Sequence, residues 1–271
     1  MKEIYKSLSY FYKSDKCIKT SFLNYMNDEE VIIDLVKNTK SIKDFVFLYN
    51  TLVTYNNLYF QKVKILLLNL IKKPSDFIEI YTKINDDHKS VFFRFVKGKL
   101  VDYNATFCFF KIYRKLFPDD KNDYFLASID KIVEETTNII DFDVMYNSLS
   151  SHHKSLYFHK VKQKLVYMSN NLFNFKDIYI ILEAHHKNEF VQRVKHRFVS
   201  LTTSINDFFT IFDCLYFPHN YIYTESTYLE LVKLIHNLGD YKDVCSILNA
   251  SQQKEFSKKV HSSNFFDSYS A

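Results

Sequence analysis

The chain reads as an all-α protein, an α-solenoid of about seven to eight antiparallel helical pairs built on a repeat of 32–33 residues. Three observations predict this. An aromatic returns every 32 or 33 positions, at Phe45, Phe77, Phe109, Phe142, Phe175, Phe208 and Tyr241. Each opens the same phrase, with an aliphatic three and seven places on and usually an aromatic four places on. The 271 residues hold only two glycines and three prolines, which is too little punctuation for hairpins and strands. A period of this size is the signature of stacked helical hairpins.

Taken in chain order, residues 1–44 form an irregular N-terminal capping unit. Met1, Ile4, Tyr5 and Leu8 fit the phrase, and Phe22, Tyr25, Val31, Ile32 and Leu35 supply a second helix. Residues 45–240 form six helical-hairpin repeats. Three places after each opening aromatic stand Leu48, Ile80, Ile112, Met145, Ile178, Ile211 and Val244; four places after stand Tyr49, Tyr81, Tyr113, Tyr146, Tyr179, Phe212 and Cys245. Leu52, Ile84, Leu116, Leu149, Leu182, Leu215 and Leu248 follow at seven. Offsets of 0, 3, 4 and 7 share one stripe of a helix with about 3.6 residues per turn. Asp44, Asp76, Asp141, Asn174 and Asp207, just before the aromatic, suit an N-cap or a first turn.

The second helix of each repeat carries Tyr59, Phe60 and Val63, then Phe92, Phe93, Val96 and Leu100, then Tyr157, Phe158, Val161 and Leu165, then Phe190, Val194 and Phe198. The third repeat, with Tyr124, Phe125, Ile129 and Ile132, reads as slipped by a local insertion. The stretch from Phe217 to Thr227, with Pro218, His219 and Asn220, reads as an enlarged turn. Residues 241–271 are a degenerate last unit followed by a polar tail from Ser262. Uniform period and the lack of a linker predict one continuous domain.

Chemistry is sparse. Two isolated glycines exclude a phosphate-binding loop, and no catalytic or calcium-loop pattern is present. The expectation is a protein that is not an enzyme and has no cofactor. His152-His153, His185-His186 and His88 resemble metal ligands, but they recur at one offset of successive repeats, roughly 10 Å apart. That is too far for one ion. They are expected in the turn after the first helix, with no metal and with their charge toward the helix C-terminus. The only marginal site for catalysis is the segment around His219 and Tyr221. Four scattered cysteines, Cys17, Cys108, Cys214 and Cys245, without CxxC spacing, suggest reduced thiols and a cytoplasmic location, with delivery into another cell not excluded. No signal peptide and no membrane association are expected; the longest apolar runs are too short to span a bilayer.

Basic residues fall in columns. Lys89, Lys121, Lys154 and Lys187 stand twelve places after the aromatic; Lys97, Lys162 and Lys195 stand twenty after; and Lys99, Lys131, Lys164 and Arg197 form an unbroken column at twenty-two. Stacked repeats would align them into cationic ladders able to track a phosphate backbone or an acidic segment. The alternative is a solvated face that keeps the array soluble. A net charge of +5 and a pI near 8.7 are low for a dedicated nucleic-acid domain. A second candidate surface comprises positions that vary between the fixed columns: Phe47, Asn50, Glu79, Lys83, Lys111, Arg114, Asn147 and Asp177. Variation there suits the reading of a non-repetitive partner, or drift on an unconstrained face.

The phrase D-F-x-x-I-Y-x-x-L, a basic turn, then F-x-x-V-K-x-K-L resembles the broad class of helical-hairpin solenoids that includes tetratricopeptide, pentatricopeptide and HEAT-like arrays. It differs from the tetratricopeptide pattern in setting large Phe and Tyr where small residues pack. The resemblance implies a non-catalytic scaffold holding a partner protein along one face. Nucleic-acid binding through the basic ladders is the alternative.

Overall fold

The computed structural model describes residues 29–53, 55–103 and 106–262. Met1, Ile4, Tyr5, Leu8, Cys17, Phe22, Tyr25 and the tail beyond Ser262 lie outside them. All regular structure among the described residues is helical. The chain divides into two compact units, Met1–Ile132 and Val133–Ala271, the division falling in the last turn of one helix.

The first unit contains α1 (Glu29–Asn38), α2 (Ile42–Thr51), α3 (Asn56–Leu70), α4 (Pro74–Lys83), α5 (Asp86–Asp102), α6 (Thr106–Tyr113) and most of α7 (Pro118–Glu135). Here α2 packs on α3 and α4, α3 on α1 and α5, and α4 on α5 and α6. The second unit contains α8 (Ile139–Ser148), α9 (Ser151–Met168), α10 (Leu172–Ile181) and α11 (Ala184–Val194). A single 3₁₀ turn, Lys195–Arg197, leads into the short α12 (Phe198–Leu201), followed by α13 (Ile205–Cys214), α14 (His219–Leu234), α15 (Leu238–Ile247) and α16 (Ala250–Ser262). Within it α8 packs on α9 and α10, α9 on α10 and α11, α10 on α13, and α14 on α12, α13 and α16.

Short helices begin where the sequence supplies a clasp. The side chains of Ser41, Asn138, Asn171, Ser204 and Asn237 are the N-caps, each accepting the backbone N–H three residues on, at Asp44, Asp141, Asn174, Asp207 and Asp240. The carboxylates of Asp44, Asp141, Asp207 and Asp240 accept in return from the N–H of Lys40, Thr137, Thr203 and His236. Asp76 accepts from both Lys72 and Lys73, ahead of Pro74 in the first turn. The acidic column is therefore the first turn and not the cap. Its charge meets the positive helix end, and a Ser or Asn three places earlier completes the orphan donors.

The opening aromatics pair with rings on the second helices. Phe45 stacks on Tyr59, Phe77 on Phe92, Phe109 on Tyr124, Phe142 on Tyr157, Phe175 on Phe190, Phe208 on Tyr223 and Tyr241 on Phe256, with centroids 5.1 to 6.1 Å apart. Three of the tyrosines bury a hydroxyl against a threonine from the turn ahead: Tyr59 with Thr39, Tyr157 with Thr136 and Tyr223 with Thr202, at 2.6 to 2.7 Å. Where the second-helix ring is Phe92, the corresponding turn residue is the apolar Ile71.

Two expectations are corrected. The third repeat has no insertion: Tyr124, Phe125 and Ile132 are buried on schedule, and fully buried Ser128 occupies the place Val96 and Val161 hold elsewhere. A small polar residue in an apolar column is what made the pattern look displaced. The Phe217 to Thr227 stretch is not an enlarged turn. Pro218 sits at the N-cap of α14, where the missing N–H has no intrahelical role, and Tyr223, Thr224 and Thr227 are buried on that helix. Phe110, although it lies between the fixed columns, is buried.

Tyr223→Phe should lower stability by about 1 kcal/mol in urea unfolding, because the Thr202 hydroxyl loses its donor while still bonding the Phe198 carbonyl. Tyr223→Ala should remove roughly 3 to 5 kcal/mol. The double variant Tyr223→Phe/Thr202→Val should be less destabilised than the sum of the singles.

Candidate functional site

The corner between the two helices of a pair holds the densest polar chemistry. The tyrosine four places after the opening aromatic is buried, and its phenol oxygen accepts a backbone N–H from the next corner: Tyr49 from Asn85, Tyr81 from Phe117, Tyr146 from Glu183 and Tyr179 from Tyr216, at 3.0 to 3.2 Å. The same oxygen meets a histidine Nδ1 in three cases. Tyr49 pairs with His88 at 2.6 Å, Tyr146 with His186 at 2.5 Å and Tyr179 with His219 at 2.9 Å. Tyr81 instead donates to the Asp120 carboxylate at 3.2 Å. His88 and His186 also stack on Phe60 and Phe158, centroids 4.4 and 4.3 Å apart.

Burial fixes the charge states. Desolvation pushes the Tyr81 and Tyr146 phenols up to about 12 and lowers His88 and His219. His186 is driven to about 4, by desolvation first and then by His185 beside it. These histidines are neutral hydrogen-bonding groups in the first turn of the second helices, not cations at the end of the first ones. The positive end of a helix dipole and the apolar surroundings both act against a proton there.

Every basic column has a structural occupation. Lys89, Lys121, Lys154 and Lys187 hold their amines 4.6 to 5.8 Å from the ring centroids of Tyr81, Tyr113, Tyr146 and Tyr179. Lys89 also meets Asp86, and Lys154 meets Glu183 at 2.8 Å. Lys99 donates to the Leu68 carbonyl at 2.8 Å, Lys131 to Val101 at 3.4 Å, and Lys164 to Val133, Glu134 and Thr136 at 2.6, 2.9 and 3.3 Å. These carbonyls end the neighbouring second helix, so the lysines act as C-terminal caps supplied from outside. Arg197 lies over the Tyr167 ring, Lys97 faces Asp123 at 3.7 Å, and Lys162 bonds Glu189 at 2.7 Å. Lys195 is exposed on the 3₁₀ turn.

Of the variable positions, Asn50, Glu79, Lys83, Lys111, Arg114, Asn147 and Asp177 are exposed and Phe47 is half-buried. Arg114 reaches over Phe110, and Asn147 donates to Asp143. The second unit adds Ile180, which lies between the fixed columns, and three residues the spacing missed, Ile140, Tyr167 and Phe173. Ile140 and Phe173, both two places before the opening aromatic, are 76% and 73% exposed; Ile180 is 58% and Tyr167 64% exposed. Beside Ile140 and Tyr167 lies an open groove of about 790 Å³, bordered also by Met168, Asn170, Asn174 and Asp177. The sequence signal is an apolar residue two places before the aromatic, found also as Phe107, at a position that is polar in Lys43, Ser75 and Asn206.

Comparison with family models, with curated proteins and with solved structures finds no match to the chain. No helix among the described residues is long and apolar enough to cross a membrane.

Lys164→Met should lower stability by roughly 1 to 2 kcal/mol in urea unfolding, since three carbonyls lose a charged donor. A pH dependence follows from His88 and His219. Their folded values are depressed, so the stability they contribute is complete above the ordinary value of about 6.5 and is lost as pH falls below it. Unfolding midpoints in urea should therefore fall between pH 7 and pH 5, and the gap should narrow in His88→Phe.

Proposed function

We propose that the protein is a non-catalytic scaffold in which helical pairs stack as a solenoid within each unit and a partner protein is held on the outward face of the first helices. The observation that carries this reading is the exposed apolar row of the second unit, Ile140, Phe173 and Ile180, with Tyr167 at the edge of the groove. Large apolar side chains left in water at matching positions of adjacent helices are characteristic of a surface that is covered by protein. Tyrosine, asparagine and apolar groups together suit a polypeptide, whose side chains and amides need both kinds of contact. Stacking is supported by the packing of α2 on α4, α4 on α6, α8 on α10 and α10 on α13, with the second helices α3 on α5 and α9 on α11 alongside.

Nucleic-acid binding is the competing reading. It would require amines now bonded to carbonyls, carboxylates and aromatic faces to leave those partners, while protein binding draws on side chains that already face solvent. The proposed location is an aqueous compartment, and the partner face is proposed to include Asn147 and Asp177.

Ile140→Asp/Phe173→Asp should fold with an unchanged helical spectrum and melting temperature, because both side chains are mostly in solvent. Purified from its native cell after nuclease treatment, the unaltered protein should retain a stoichiometric polypeptide that the double variant loses. Retention by both would reject this face. Retention of nucleic acid instead, abolished by changing Lys99, Lys131, Lys164 and Arg197 to Gln and steeply weakened by salt, would favour the alternative.

A further inference from the structure

We propose that the corner formed by Glu183, His185 and His186 binds one divalent transition cation, with Zn²⁺ the best chemical fit. Each of the three offers a ligand atom, and these atoms lie within 4.8 Å of one another. A carboxylate with two imidazoles is a common three-ligand set for Zn²⁺, leaving one position for water. Glu183 is the N-cap of α11, and His185 and His186 are its second and third residues, so one helical turn fixes all three.

The neighbours of this corner are arranged as a ligand set needs. The Tyr146 oxygen at His186 Nδ1 can accept that nitrogen's proton, which leaves the Nε2 lone pair for a metal. Lys154 bonds Glu183 Oε1, so Oε2 is the carboxylate atom that turns toward His185, 3.9 Å from its Nδ1. Ser155 Oγ lies 3.4 Å from the other nitrogen, His185 Nε2. Each candidate ligand therefore uses one polar atom on a protein partner and has a second in reserve. The lysine charge opposes a cation; the carboxylate it pairs with is what offsets it.

Coordination bonds near 2 Å need ligand atoms roughly 3 to 3.5 Å apart, somewhat closer than they stand. His185, at 58% side-chain exposure, can make that adjustment by rotating about its own side chain. No other described corner has the full set. The equivalent residues are Asn85, Asp87 and His88 in one case and Ser150, His152 and His153 in another. Histidines of successive repeats stand too far apart to share one ion, but all three of these ligands lie within a single corner.

The test uses the tag-free full chain stripped with chelator. Calorimetry with Zn²⁺ should show one equivalent bound, the Co²⁺ form should show visible bands of a low-coordinate nitrogen and oxygen site, and Zn²⁺ should raise the melting temperature. His185→Ala and Glu183→Gln, both altered at side chains that reach solvent, should each weaken Zn²⁺ binding by about tenfold or more. His152→Ala should leave it unchanged. Absence of binding by the unaltered chain at about 1 mM Zn²⁺, or equal affinity in His185→Ala, would overturn the proposal.

Discussion

A buried phenol oxygen is hard to satisfy, and much of this structure is organised around satisfying four of them. Tyr49, Tyr81, Tyr146 and Tyr179 lie inside the corner with their rings in the apolar core and their oxygens against the following corner. Left without partners, each would forfeit about 1 to 3 kcal/mol. The oxygen accepts a backbone N–H at or just ahead of the next second helix; at Asn85, Phe117 and Glu183 this is one of the donors that a helix N-terminus cannot satisfy itself, and at Tyr216 it precedes the helix. One contact thus answers two requirements, and it can form only when consecutive corners are in register. His88, His186, His219 and Asp120 then take the remaining capacity of the phenol. This geometry explains why these four positions are tyrosine and not phenylalanine, a distinction that hydrophobic periodicity does not make; the column gives way to Phe212 and Cys245 toward the C-terminal end.

Helix ends follow a similar economy of partners. The first helices are ten residues or fewer, short enough that terminal donors and acceptors are a large share of their backbone groups. Ser or Asn caps with an Asp three places on close the N-terminal side. Lysines from a neighbouring second helix close the C-terminal side of the longer helices, Lys99 at Leu68 and Lys164 at Val133 to Thr136. Lysines at Lys99, Lys131 and Lys164 are therefore expected from packing alone, since these helix ends present the same bare carbonyls, while Arg197 in the same column lies over the Tyr167 ring. The column's regularity, which suggested a ligand ladder, is equally the mark of a repeated structural need.

Most of the fold is legible in the sequence because the core columns obey one rule, a 3.6-residue stripe restarted every 32 or 33 residues. Phe45, Ile80, Tyr146 and Leu182 are buried as the spacing requires. The errors arise where a local residue breaks the rule without breaking the structure. Ser128 replaces an aliphatic in a fully buried site, and Pro218 begins α14 where it resembled a loop. The site was less legible for a different reason. A histidine three residues into a helix gives no sign in the sequence of whether it points to solvent or to a tyrosine some 40 residues away, as His186 does to Tyr146. Nor does spacing reveal that Lys187 covers the Tyr179 ring and is lowered by its own desolvation.

What remains outward after these internal needs are met is the part of the sequence able to vary. Residues that close helix ends, fill stacked rings or satisfy phenols are held in place by neighbours, so change there is paid in stability. Ile140, Phe173 and Ile180 meet none of those needs and gain nothing from water. An isolated exposed apolar residue is ordinary, but Ile140 and Phe173 occupy the same place on two helices that pack side by side. Val53, Ile65, Phe217 and Leu229 are also well exposed, but the side-by-side placing of Ile140 and Phe173 is the ground on which the partner surface is proposed there and not at the basic columns.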